Sequence, residues 1–383
     1  MNEPVTIIPV RQRCRQGQFL DLPWSLYRGD PCWIPPLRID ERELLGFRPH
    51  PFYLRNEIQA FLACRSGEVC GRIAAILNRD HNERYHERRG FFGFFECIDD
   101  QEVADRLFDA VREWFGERDI FAIRGPTNPS LNYALGLLVD GFDSPPMFMM
   151  TYNPPYYARL IESYGFRKSQ DLFAYLGHID MLPKVQARYA AVAEQLIKHH
   201  EVRYRPLDRM RFQEDVEEFL RIYNRSLTNT WGFVPMTAEE VRHLAGGLKW
   251  LMIPELTLGV EMKGRLIGAV FCLPDYNPRI KAIGGKLFPF GFARLLANKR
   301  AIKRARVISV NVLPEYQLLG LGLVLVHGLV PKILSSGIEE VEFSWVLESN
   351  TLSRGSLEKA GTRRYKTYRI YDFEPPAGGC RRD

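Results

Sequence analysis

The chain has 383 residues, 46% of them hydrophobic and 26% charged, and a formal net charge of +6. That length favours two domains over one, and the composition excludes a disordered or fibrous protein. The modest positive charge is interleaved with acidic residues, which suits an anionic ligand without requiring nucleic acid.

The opening Met1-Asn2-Glu3-Pro4-Val5 has no basic segment followed by an apolar run, and no stretch reaches the roughly 18 apolar residues that cross a bilayer. Neither export by that route nor an integral membrane protein is expected. Seven cysteines form no CxxC pair and do not fit a disulfide framework, so the expected compartment is a reducing cytoplasm.

In chain order, Ile58 to Cys64 and Val69 to Leu77 read as two strands joined at Gly67, which can supply the positive φ of a tight turn. A buried strand follows over Phe91 to Ile98. Asp99 and Glu102 then form a capping-box signature before the amphipathic positions Val103, Leu107, Phe108, Val111 and Phe115. Asp80, His81 and His86 read as a polar loop; no third ligand stands at a recognised spacing, so no metal is expected.

The layout recurs. Leu256 to Met262 and Leu266 to Leu273 flank Gly264, and both hairpins carry a second glycine (Gly71, Gly268) four residues on, at an offset of 197 residues. A helix stop before a strand repeats at Gly165 and Gly361, an offset of 196. Two patterns at nearly one offset indicate duplication, with a boundary near residues 180 to 200.

Past that boundary, Phe212 to Leu227 reads as a helix, and Thr237 to Glu240 caps the next one. Val307 to Val312 is a strand, Gly320 to Leu334 a helix, Val341 to Val346 a strand and Ser353 to Ala360 a helix. Between the first strand and its helix lies Gln317-Leu318-Leu319-Gly320-Leu321-Gly322. A glycine turn opening a helix after a strand gathers free backbone N–H groups and the positive helix end, a site for phosphate. The first half has Asp99-Asp100-Gln101 there, and carboxylates would repel a phosphate. The fold class expected is α+β, layered, each half a mixed sheet flanked by helices.

The pattern Gln-x-x-Gly-x-Gly after a strand, with Asn350 after a later strand and a helix ending in glycine, resembles the GNAT superfamily of N-acyltransferases. A closer resemblance, through Phe91 to Glu96, Thr230 to Pro235, Leu287 to Phe292 and Tyr365 to Tyr371, is to the bacterial ceramide-synthase-like and YghO-like group of that superfamily. It implies tandem GNAT-like domains: a degenerate copy over 1–190, an acyl-CoA-binding catalytic copy over 200–374, and a flexible tail over 375–383.

The resemblance further implies that Val312, Leu313, Gln317, Leu318, Leu319, Gly320, Leu321, Gly322 and Asn350 hold coenzyme A, with the Leu313 backbone N–H facing the oxyanion. The acyl donor would be acyl-CoA or an acyl-carrier protein, and the acceptor an amine-bearing small molecule or lipid precursor such as a sphingoid base. Glu348 is the first choice of base, with Glu315 its competitor and a solvated loop position or pairing to Arg354 the alternative role, and Asn350 is counted with the catalytic candidates as well. The superfamily often places Tyr on the helix after the strand Asn; Arg354, Ser356 and Leu357 stand there instead, leaving Tyr365 or Tyr316 as substitutes.

Trp231 and Phe233 are expected in the acyl and acceptor pocket, or else in a buried corner. The basic, aromatic stretch 286–306 is expected either at the inner membrane face or as a solvated helix face over a core. Two rivals remain: an aminoacyl-tRNA-dependent transferase of similar fold, and a non-catalytic binding protein that has kept the fold.

Overall fold

In the computed structural model, residues 3–208 and 210–374 are described; the tail expected over 375–383, with Cys380, lies outside them. The first half runs β1 (Thr6–Pro9), α1 (Arg13–Leu26), α2 (Arg38–Leu44), β2 (Glu57–Arg65), β3 (Glu68–Leu77), α3 (Arg79–Tyr85), β4 (Arg89–Cys97) and α4 (Gln101–Gly116). It continues through β5 (Ala122–Gly125), β6 (Thr127–Asn128), β7 (Ala134–Leu135), β8 (Leu137–Asp140), α5 (Tyr157–Tyr164) and β9 (Arg167–His178).

After α6 (Leu182–His199), the second half runs β10 (Val202–Pro206), α7 (Phe212–Ser226), α8 (Ala238–Leu251), β11 (Thr257–Met262), β12 (Arg265–Pro274), α9 (Asn277–Ala282) and α10 (Gly291–Leu296). It ends with β13 (Arg304–Val312), α11 (Leu321–Ser336), β14 (Glu340–Leu347), α12 (Thr351–Lys359) and β15 (Arg363–Phe373). Apart from α3 and β6–β8 in the first half and α9 and α10 in the second, the halves correspond: strand, two helices, three strands, helix, strand, helix, strand.

The duplication extends to backbone detail. Both hairpins turn in two residues with positive φ, Ser66 (54°) and Gly67 (81°), then Lys263 (52°) and Gly264 (74°), the two-residue turn that matches strand twist. Each hairpin register slips at one place, between Ala63 and Cys64 and between Val260 and Glu261, again 197 residues apart.

Two compact units form. Among the described residues, one comprises those within 3–172, 280–287 and 366–374; the other comprises those within 173–279 and 288–365. This differs from a linear division at 190/200. The end of β9 belongs to the second unit beside β14, and most of β15 belongs to the first unit beside β5. The strand order is β1-β2-β3-β4-β5-β15 in the first unit and β9-β14-β13-β12-β11-β10 in the second.

Apolar spacing sets each core. In the first unit, Val103, Leu107, Phe108, Val111 and Phe115 of α4 pack on Phe92 and Phe95 of β4. In the second, Leu321, Val324, Leu325, Leu329 and Ile333 of α11 pack on Val260, Val270 and Val307. Two expectations change locally. The cap of α4 is Asp100 rather than Asp99, because Asp100 holds the extended backbone from which its carboxylate reaches the Glu102 and Val103 N–H groups. The His81 segment is the helix α3, not a polar loop, and His81 is buried beside Phe91 and Tyr85.

Candidate functional site

In the second unit, β13 and β14 pair in parallel from Arg304↔Glu340 to Val307↔Phe343. Ile308 is an extra residue in the register with β12, where Phe271 faces Ser309 and Cys272 faces Val307. Past this bulge β13 runs on to Val312 still paired with β12, while the recorded pairing with β14 has ended. The two central strands therefore diverge there, and Val310 is 37% exposed.

The divergence leaves backbone donors on one edge of β13. The Leu313 N–H donates to the Ile267 carbonyl at 2.9 Å, across to β12. This corrects the expectation that Leu313 faces an oxyanion. Because N–H groups alternate sides along a strand, Val312 and Val310 direct theirs away from β12, toward the gap.

The expected phosphate loop is more ordered than an open turn: Pro314–Leu319 is a 3-10 turn, and Gly320 (φ 71°) ends it and begins α11. No side chain caps α11; the Leu323 N–H donates to the Gly320 carbonyl at 3.0 Å, and the Leu321 and Gly322 N–H groups keep the donor potential of a helix start. The contrast with α4, whose Asp100 carboxylate accepts from Glu102 and Val103 N–H at 2.9 and 3.4 Å, is direct.

Gly322 adds a second observation. A Cβ there would meet nothing closer than Val310 Cγ1 at 4.0 Å, so packing within the protein does not require glycine, although glycine costs a helix roughly 0.5–1 kcal/mol. Gly320 is different: its φ is positive and a Cβ would come within 2.9 Å of Leu196 Cδ1 on α6. Gln317 does not present its amide to the loop. Its Nε2 donates to the carbonyls of Ser226 and Val312 at 3.2 and 3.1 Å, tying the end of α7 to the end of β13. Leu318 is wholly exposed, Leu319 half-buried and Leu321 in the core.

Beneath the point of divergence lies a polar cluster that sequence reasoning missed. Arg306 is 2% exposed and Glu342 fully buried; the two stand opposite each other in the β13/β14 register. Arg306 Nε donates to Ser344 Oγ at 2.7 Å, and its Nη2 to the Ser344 carbonyl at 3.2 Å. Ser344 Oγ donates to Glu342 Oε1 at 2.5 Å, and the Tyr365 hydroxyl to Glu342 Oε2. The Arg306 guanidinium sits 4.8 Å from the Trp345 ring. Buried Asn311 completes the neighbourhood, accepting from Ser226 Oγ at 2.9 Å and donating to Ser309 Oγ at 2.7 Å.

Tyr365 therefore joins this cluster. Glu348 lies half-buried on the turn after β14, and its backbone carbonyl accepts from Arg354 Nη1 at 2.9 Å. Asn350 caps α12, accepting from the Ser353 N–H at 3.1 Å. Glu315 pairs with Arg225 and Arg265 at 3.1 and 3.3 Å; its own backbone N–H, followed by these two cations, holds its carboxyl below the usual range and makes it a poor base. Phe233 is buried edge-on to Tyr223, 5.6 Å between ring centroids, while Trp231 is half-buried. Tyr223 is itself pushed up to about 12 by burial, which Arg306 partly opposes.

The first unit blocks its own equivalent gap. β4 and β5 pair only from Arg89↔Ala122 to Phe91↔Arg124, and β6 then lies against β4. The Phe94 N–H donates to Asn128 Oδ1 at 2.7 Å, and a Cβ at Gly93 would come within 2.0 Å of the Thr127 carbonyl oxygen. A cavity of about 670 Å³ in this unit is lined by Glu57, Arg79, Glu83, Glu87, Arg88 and Arg118.

No family model matches the chain. Protein YghO of Escherichia coli (strain K12) is 34% identical over 362 residues, 92% of this chain and 91% of the relative. Bacterial ceramide synthase of Caulobacter vibrioides (strain NA1000 / CB15N) is 34% identical over 382 residues, 97% and 98% of the two chains. Among solved structures, a tandem GNAT protein from the clavulanic acid biosynthesis pathway superposes with a TM-score of 0.55 at 13% identity, covering 97% of this chain and 98% of that one. A GCN5-related N-acetyltransferase from Sphaerobacter thermophilus gives 0.51 at 14% identity, with 96% and 95% covered. At those identities the structures speak for the fold, a tandem GNAT fold, and the two relatives for kinship: the chain belongs to the bacterial ceramide-synthase-like, YghO-like group of GNAT proteins.

Proposed function

We propose that the second unit binds acyl-CoA at the start of α11 and transfers its acyl group to an amine. The carrying observation is Gly322, a glycine that packing does not need, at an uncapped helix start beside the strand edge that β14 has left. Pyrophosphate fits that chemistry, because backbone N–H groups and the helix dipole bind anions without a charged side chain. Val312 and Val310 supply further N–H groups to the gap. Gln317 acts through position, fixing the loop between α7 and β13.

A bound thioester supplies an electrophilic carbonyl carbon and a thiolate leaving group. The acceptor amine must lose a proton before or as it attacks, since an alkylamine near pKa 10 is mostly protonated at neutral pH. We assign that proton to the Tyr365–Glu342 pair: Tyr365 takes it while passing its own to Glu342. The new N–C bond forms as the C–S bond breaks, and backbone N–H groups of β13 face the oxyanion. A relative named bacterial ceramide synthase favours a long-chain amine, such as a sphingoid base, as acceptor. Acyl-carrier protein is the alternative donor.

Titration calorimetry with coenzyme A tests the donor site. Wild type should bind, and Gly322→Glu should weaken binding at least about tenfold, ~1.4 kcal/mol, without lowering Tm. Silence of the wild type toward coenzyme A and acyl-carrier forms alike would refute the assignment. Thiol release measured across acyl-CoA chain lengths with candidate amines then identifies the acceptor class.

A further inference from the structure

Four aromatic side chains of the second unit stand in solvent: Phe288 (79% exposed), Phe290 (71%), Trp250 (51%) and Phe292 (40%). They come from two segments, the end of α8 and the stretch from the turn before α10 into its first residues, joined where Trp250 and Phe292 meet edge-on at 5.7 Å. A cluster of large exposed aromatics marks an interaction surface.

The charge around it is one-sided. Residues 286–306 contain no Asp or Glu, and neither do residues 248–252. Lys249, Arg294, Lys299 and Arg300 flank the aromatics, Lys299 Nζ donating to the Trp250 carbonyl. At its far end the basic run is engaged elsewhere, Lys303 pairing with Glu339 at 3.1 Å, Arg304 with Glu340 at 3.3 Å and Arg306 buried below the site, while Lys286 belongs to the first unit. The surface is therefore confined to Trp250 and 288–300, narrower than the 286–306 stretch read from sequence.

We propose that this patch seats the protein on an anionic phospholipid bilayer, with Phe288 and Phe290 entering the interface and the cations facing lipid phosphates. The chemistry fits on two counts. Aromatic side chains partition to the headgroup level, and each Lys or Arg held near an anionic surface adds attraction. Among the described residues no helix is long and apolar enough to cross a membrane, so contact would be peripheral. The inference is independent of the acyl-transfer reading, because none of these residues belongs to the α11 site.

Co-sedimentation of the full chain with phosphatidylglycerol-containing vesicles, against pure phosphatidylcholine, tests it. Wild type should prefer anionic vesicles and release at about 1 M salt, where the screening length is near 3 Å. Phe288→Ser with Phe290→Ser should weaken binding at least about tenfold, and Arg294→Glu with Arg300→Glu by a similar factor. All four positions are exposed, so Tm and coenzyme A titration should not change. The proposal is overturned if wild type ignores anionic vesicles, or if both double variants bind like wild type. It is equally overturned if the patch variants lose an acidic acyl-carrier protein instead while vesicles are not bound.

Discussion

Tyr365 and Glu348 show what a single residue does and does not reveal. Both were legible as candidates, but Tyr365 sits in an aromatic strand where packing is the simpler role, and Glu348 ends a strand, where a carboxylate is easily imagined as a base. The fold places Tyr365 on a buried carboxylate and leaves Glu348 on a turn. Tyr365→Phe should therefore lower the thiol-release rate about 10²-fold or more, the scale of general acid–base contributions, with coenzyme A affinity retained. Glu348→Gln should stay within about threefold of wild type; the reverse ranking would return the role to Glu348. Glu342→Gln is a poorer probe, since breaking a buried pair with Arg306 costs about 3–5 kcal/mol of stability. Gln317, by contrast, was singled out by its motif, and its side chain is a brace between α7 and β13 that depends on carbonyls 91 and 5 residues away.

At the scale of elements, α4 and α11 are the same helix with opposite N-termini. One is closed by its own Asp100, itself paired with Arg65 at 2.7 Å; the other is open. That difference was readable, because a carboxylate and a glycine have opposite effects on anions. The blocking of the first unit's gap by β6 was not, since no local pattern says where Thr127 and Asn128 will lie. Helix α3 supports a pH prediction. Burial pushes His81 down to about 4, against an unfolded value near 6.5. The unfolded chain therefore takes up a proton that the folded one refuses, and stability is lost as pH falls from about 6.5, the loss levelling off near 4. The difference is on the order of 3 kcal/mol. Urea unfolding followed from pH 7 to 4 should show this dependence in wild type and a flatter one in His81→Gln; parallel curves would place the titration elsewhere.

Across the whole molecule, chain order and compact units do not coincide. Most of β15 lies in the first unit, where Tyr371, Asp372 and Phe373 pair with Gly125, Arg124 and Ile123, and Arg124 grips Asp372 through two bonds of 2.7 Å each. Tyr371 is buried there, its hydroxyl donating to Glu162 at 2.9 Å. A fragment of residues 1–190 would expose the edge of β5 and leave Arg124 without that partner, so it should aggregate or lack near-ultraviolet dichroism. A chain ending at Tyr365 should show the same loss in its first unit. A folded, monomeric 1–190 fragment would show instead that β15 is dispensable to that unit.

The sequence by itself determined the α+β class, the duplication, the hairpins at Gly67 and Gly264 and the glycine turn between β13 and α11, because each depends on neighbours within a turn or on a repeated offset. Only the tertiary structure decided which strand completes which sheet, that Asn128 lies in one gap while β13 and β14 part after Val307 and Phe343, and that Arg306, Glu342, Ser344 and Tyr365 converge. Those outcomes depend on pairings between residues dozens to hundreds of positions apart, where side-chain periodicity carries no information about the partner.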